Sequence, residues 1–145
     1  MSAYFAPVNF PQYVEVGFVY KVDTLAMKGV DKVTLCYQPD ELAVVHGKLY
    51  VANSGGYRNP NYDRTVSVID LKTFKEERKI DVAINLHRCR ADKYGQLWVS
   101  SRGDYKEVPS RLYWLKPNAA GQMEKGGEVE VPVSNMCIVG DSLYY

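Results

Sequence analysis

Leu49-Tyr50-Val51-Ala52-Asn53-Ser54-Gly55-Gly56-Tyr57 and Leu97-Trp98-Val99-Ser100-Ser101-Arg102-Gly103-Asp104-Tyr105 are one stretch written twice, 48 residues apart, each preceded by a turn containing Gly47 or Gly95. A third copy opens at Asp141-Ser142-Leu143-Tyr144-Tyr145, 46 residues beyond Leu97. Downstream, Val66-Ser67-Val68-Ile69-Asp70-Leu71 matches Leu112-Tyr113-Trp114-Leu115-Lys116 at an offset of 46, and Tyr20-Lys21-Val22-Asp23 lies 47 before Ser67-Val68-Ile69-Asp70. A fixed period of this length marks a repeat architecture in which each repeat is one supersecondary unit.

Inside each unit the apolar period is two. Val16, Phe18, Tyr20 and Val22 alternate, as do Ile80, Val82, Ile84 and Leu86, and again Val129, Val131 and Val133. That is the spacing of strands, and no substantial helix is expected even across residues 65 to 94, which lack Gly and Pro but carry β-branched runs. The first full unit predicts strands near 42–45, 48–53, 65–71 and 78–84; the second predicts 88–92, 96–101, 111–116 and 127–133. Four short antiparallel strands per unit of this size is one β-propeller blade, whereas a sandwich would not need near-identical units at a fixed period. The expected fold is all-β, a β-propeller fragment of about three blades of four-stranded sheet.

Composition sets the limits. The chain has 145 residues, 18 Lys+Arg against 17 Asp+Glu, 46% hydrophobic and 24% charged residues, which is globular usage without the basic surplus that phosphate backbones require, so no nucleic-acid partner is expected. The first twenty residues hold Pro7, Pro11 and Glu15 where a secretory signal would be apolar, and no apolar run reaches bilayer length. Twelve Tyr, with 11 Gly and 7 Pro, favour strands and turns. Cys36, Cys89 and Cys137 are too widely spaced for a metal pair and odd in number, and read as small buried hydrophobes.

Tyr50-Val51-Ala52-Asn53 and Thr65-Val66-Ser67-Val68-Ile69-Asp70-Leu71 resemble the YVTN-repeat, YncE-like, surface-layer-type propellers of bacteria. The resemblance spans essentially the whole chain and is looser in the second unit, where Trp98-Val99-Ser100-Ser101 replaces the tetrad. It implies a periplasmic or cell-surface protein that recognises a ligand or partner without chemistry: a small-molecule nutrient, of cobalamin type in some similar propellers, or an outer-membrane transporter protein. Fold alone does not fix function.

In an up-and-down blade, the loop after the second strand and the connection to the next blade open on one face, and the tight hairpins open on the other. The first face collects 53–64, 101–110, 36–40, 85–88 and 134–135; the other collects His46-Gly47, Tyr94-Gly95 and 72–77. Tyr and Arg are favoured binding anchors, which makes Tyr57, Arg58, Tyr62, His87, Arg88, Arg102 and Tyr105 the candidate ligand-binding residues. The bland alternative is that these loops only cap blades and that Asp63, Arg64, Arg102 and Asp104 pair locally.

Catalytic signatures are missing. His46 and His87 fall on opposite faces, and His87 has no evident partner but Cys89, two residues on and on the other side of an extended backbone. Asp40, Asn85 and Asn135 recur near the starts of inner strands and would form a weak calcium-type site, as in lactonase-like, metal-dependent hydrolase propellers; Asn and Asp are equally what turns require. No phosphate loop, nucleophile elbow or Cys-His pair is present, so binding is favoured over catalysis, with a purely structural interaction propeller as a further reading. Lys72 to Lys79 reads as a solvated hairpin.

The strand tally divides the chain into 4–38 as the second half of a blade, 39–85 and 86–135 as full blades, and 136–145 as the first half of a blade. Tyr4 and Pro7 match the Tyr57–Pro60 and Tyr105–Pro109 pairs of the long loops and place the start between second and third strands. Three blades are too few to close a ring. The partner is then the remainder of the same propeller, or a second copy completing a six-bladed ring.

Overall fold

The computed structural model describes residues 1–6 and 16–145; Pro7 lies outside the described residues. Among the described residues, all regular structure is β apart from one 3-10 turn at Gly56–Arg58. Four antiparallel sheets follow one another along the chain, each built from consecutive strands. The first holds β1 (Ser2–Phe5), β2 (Val16–Asp23) and β3 (Lys28–Tyr37). The second holds β4 (Pro39–Val45), β5 (Lys48–Asn53), β6 (Thr65–Asp70) and β7 (Lys75–Asp81). The third repeats it with β8 (Leu86–Ala91), β9 (Leu97–Ser101), β10 (Arg111–Pro117) and β11 (Met123–Val129), and the fourth holds β12 (Cys137–Val139) and β13 (Ser142–Tyr144).

Alternation along β5 explains how the sheets pack. Leu49 and Val51 point into a core shared with Val19 and Leu35 of the first sheet, while Tyr50 and Ala52 point into a core shared with Leu97, Val99 and Cys89 of the third. A strand covered on both faces is apolar at successive positions, which is why β5 reads as a run. A third core, from Leu112, Val133 and Met136 with Trp98 and Leu143, joins the third sheet to the fourth.

The repeat extends to irregularities of register. β2/β3, β6/β7 and β10/β11 slip at Lys21/Val22, Val68/Ile69 and Trp114/Leu115, while β4/β5 slips between Pro39 and Glu41 and β8/β9 between Leu86 and Cys89. An extra residue in one strand bends it and re-aims its side chains.

Three expectations are corrected. The opening sheet has three strands where the repeat arithmetic gives two, because Ala3 pairs with Val22 and Phe5 with Tyr20, whose rings stack at 5.3 Å. The outer strands begin earlier than the apolar alternation predicts. Val82 and Val133 are buried beyond the ends of β7 and β11, so the alternation continues into the connections, while β7 itself, Lys-Glu-Glu-Arg-Lys-Ile-Asp, is a charged edge whose Glu77 pairs with Lys48. Lastly, only Cys89 is a buried cysteine. Cys36 is half-buried, and Cys137 is exposed on the short β12.

Candidate functional site

Pairing in the inner hairpins aligns Val44 with Leu49, Ala91 with Leu97 and Ile138 with Leu143. Counting back from these pairs puts Asp40, His87 and Ser134 at one position of three successive repeats, 47 residues apart. Each follows a buried anchor, Pro39, Leu86 or Val133. Before two of these anchors the chain takes a left-handed residue, Gln38 (φ 49°) and Asn85 (φ 52°), and then the bulge. Asn and Gln at such turns are tolerated where bulkier side chains are not.

The bulges bring Asp40 and His87 together. His87 Nδ1 lies 3.0 Å from Asp40 Oδ2, Arg102 Nη1 lies 3.1 Å from the same oxygen, and Arg102 Nη2 lies 3.2 Å from His87 Nε2. A guanidinium only donates, so Nε2 accepts and the imidazole proton sits on Nδ1, donated to Asp40. The second ring nitrogen is thereby committed to Arg102. Sequence reasoning gave His87 no partner; the structure gives it two, one of them 47 residues upstream in the neighbouring sheet.

Arg102 is held in place by its loop. Its N–H donates to the Asn85 carbonyl, as Ser54 N–H does to Gln38 one repeat earlier. Asn85 Nδ2 donates to the Gly103 carbonyl, Ser110 Oγ to the Ser101 carbonyl, and the amides of Lys106, Glu107 and Val108 all donate to Asp104 Oδ1. Those amides hold the Asp104 carboxyl below the usual carboxylate range. At Gly103 (φ 66°) a Cβ would fall 1.9 Å from the Val108 carbonyl oxygen, so only glycine fits. Tyr105 is also left-handed (φ 62°), and its side chain is 72% exposed. A strained aromatic residue at a loop tip is a feature that collects at functional sites.

Above this floor lies an open cavity of about 350 Å³. It is lined by His87, Arg102, Tyr105 and Ser110 together with Pro132, Val133 and Ser134 of the following connection. Its volume is at the small end of ligand sites.

The remaining four candidates do not line the cavity. Tyr57 sits on the 3-10 turn with its amide donating to Gln38 Oε1, and Arg58 stacks 3.5 Å above the Tyr37 ring and donates to the Asn61 carbonyl. Tyr62 is half-buried in the same loop, next to the buried Asp63. Arg88 turns away from His87 to Glu41, 3.4 Å distant, and its Nε is buried without a partner. Glu41 also takes Arg90 Nη1 at 2.6 Å and the Cys89 amide at 2.7 Å.

Local pairing does hold for three of the loop charges. Asp63 accepts from the amides of Tyr37, Arg64 and Thr65, Arg64 pairs with Asp81, and Asp104 serves its own loop. Arg102 is the exception, since it crosses to the second sheet.

No family model matches the chain, and no curated protein does. Among solved structures it is similar to a chain of Kuenenia stuttgartiensis hydrazine synthase, with a TM-score of 0.62 and 24% identity, over 77% of this chain and 29% of that one. The likeness is one of fold, and this chain spans less than a third of that neighbour.

Among the described residues, no three His, Cys, Asp or Glu side chains are placed to hold a metal. Asp40 faces Arg102 and His87, Asn135 Oδ1 accepts from the Met136 amide, and Asn85 donates its Nδ2 to Gly103 while its Oδ1 is buried with no hydrogen-bond partner among the described residues. Burial pushes the Cys89 thiol up to about 12, which makes it a packing residue and not a nucleophile. On the opposite face, His46 packs against Gly95, and Tyr94 and Lys93 both reach Asp141, linking the hairpin turns of successive sheets.

Proposed function

We propose that the chain is a portion of a β-propeller of the YVTN-repeat, surface-layer type, and that it captures a ligand or partner, without turning it over, on the face carrying the long loops. The observation that carries this reading is the Asp40–His87–Arg102 link. It joins two successive sheets and holds in place Arg102, which lines an open cavity. Rigid anchors on sheet ends, with an exposed aromatic at the rim, are what a binding site needs.

The same reading places the protein in the periplasm or at the cell surface, serving a small-molecule nutrient or an outer-membrane transporter. A thermal-shift panel of neutral and charged small molecules, including a corrinoid, run with and without chelator, tests it. One ligand at a hundred times its Kd adds about 2.7 kcal/mol of stability. The shift should vanish in the Arg102→Ala, Tyr105→Ala double variant and persist in chelator. A chelator-sensitive hydrolytic turnover would replace this reading with the hydrolase one.

A further inference from the structure

Arg102 is the permanently charged residue that lines the cavity. Arg102 has five N–H groups, of which Asp40 and His87 take one each. Tyr105 and Ser134 line the same space, while Asp40 Oδ2 and His87 Nε2 already face Arg102. A ligand seated here must bring acceptors, because an N–H desolvated without one is costly.

Charge selects among acceptor-bearing ligands. Along the inner strands three guanidiniums, Arg88, Arg90 and Arg102, stand beside two carboxylates, Asp40 and Glu41. Glu41 Oε1 is shared by Arg88 and Arg90, and Arg88 Nε is buried without a partner. Asp104 is turned into its own loop amides and offsets none of this through a contact. The surplus belongs to Arg88 and Arg90, which do not line the cavity; at the cavity Arg102 is the cation, paired with Asp40 through one of its N–H groups. Pro132 and Val133 in the lining are apolar, and apolar walls strengthen electrostatic contacts.

Resting on the capture reading above, we infer that this cavity takes a small organic monocarboxylate, its carboxylate forked onto the remaining Arg102 donors and its apolar body lying between Tyr105 and the Pro132–Val133 wall. Planar bidentate recognition of a carboxylate is what guanidinium geometry favours over ammonium. An inorganic anion would leave Pro132 and Val133 unused, and a neutral isostere would forgo the charge-assisted bond to Arg102.

Calorimetric titration of the chain with benzoate, benzamide and inorganic phosphate tests the inference. Benzoate should bind about tenfold or more tighter than either, the difference expected between charge-assisted and neutral hydrogen bonds. Arg102→Gln should lower benzoate affinity by about tenfold and leave benzamide within twofold. Asp40→Asn should raise benzoate affinity several-fold, because it removes the carboxylate that competes for Arg102; a purely structural role for the link would make both variants weaker.

Equal binding of benzamide, equal binding of phosphate, or weakened benzoate binding in Asp40→Asn overturns the monocarboxylate. If neutral members of the ligand panel bind and the double variant abolishes them, capture by this face stands while the acid class falls. If neither benzoate nor any panel member binds, both fall.

Discussion

The loops 54–64 and 102–110 occupy the same place in the repeat and use their polar groups in opposite ways. The first closes on itself: Arg58 lies on the Tyr37 ring, and the buried Asp63 carboxylate gathers the amides of Tyr37, Arg64 and Thr65 and the Thr65 hydroxyl. The second is held by main-chain groups and short side chains, Asn85, Ser101, Ser110 and Asp104, so Arg102 is released to cross to the neighbouring sheet. The two arginines differ in where they lie: Arg58 is stacked on the Tyr37 ring, whereas Arg102 lines the cavity. Exposure would not have separated the two loops, since Tyr57 and Tyr105 are both largely exposed.

The contrast can be broken most severely at its two hubs. Asp63→Ala strands several buried donors and should cost about 3 kcal/mol in urea denaturation, with Gly103→Ala, whose Cβ meets the Val108 carbonyl, costing about as much. The former should leave ligand capture intact in the surviving folded fraction, and the latter should abolish it. Arg102→Ala should cost about 1–2 kcal/mol by leaving Asp40 and His87 Nε2 without their donor; a cost near zero would mean that the link does not tie the sheets.

Tyr105→Gly should act in the reverse direction, raising stability by about 1 kcal/mol by relieving its left-handed backbone while weakening capture. A variant both less stable and less able to bind would remove strain from the account of this loop. The smallest effect concerns pH. Asp104's carboxyl is depressed in the folded state by its loop amides, so its stabilisation is complete above the unfolded carboxylate value of about 4 and is lost as pH falls through the lower folded value. Exchange of the Lys106, Glu107 and Val108 amides should quicken over that acid range, and Asp104→Asn should flatten the dependence.

Much of this could be read before any coordinates. The Leu49 and Leu97 copies and the period-two stretches predict the strands of the second and third sheets, because those signals are local. Edges were misjudged where burial and pairing separate: Val82 is buried without being in a strand, and Lys75–Asp81 is a strand while mostly charged. The site was half legible. His87, Arg102 and Tyr105 stand out by residue type and loop position, whereas Asp40 was noted only as a weak ion ligand. Its partnership with His87 depends on two bulges and the packing of one sheet on the next, which no single stretch encodes. The signal that could have revealed it is their common position in the repeat, at a separation of 47 residues.

That common position also bears on how such a protein changes over time. Asp40, His87 and Ser134 are an acid, a base and a hydroxyl at one position of the repeat, each directly after a buried residue. Duplication copies the position, and a single codon then rewrites the chemistry at one copy without disturbing the others. The face can in this way acquire new selectivity one repeat at a time, and a library confined to these three codons would sample it directly.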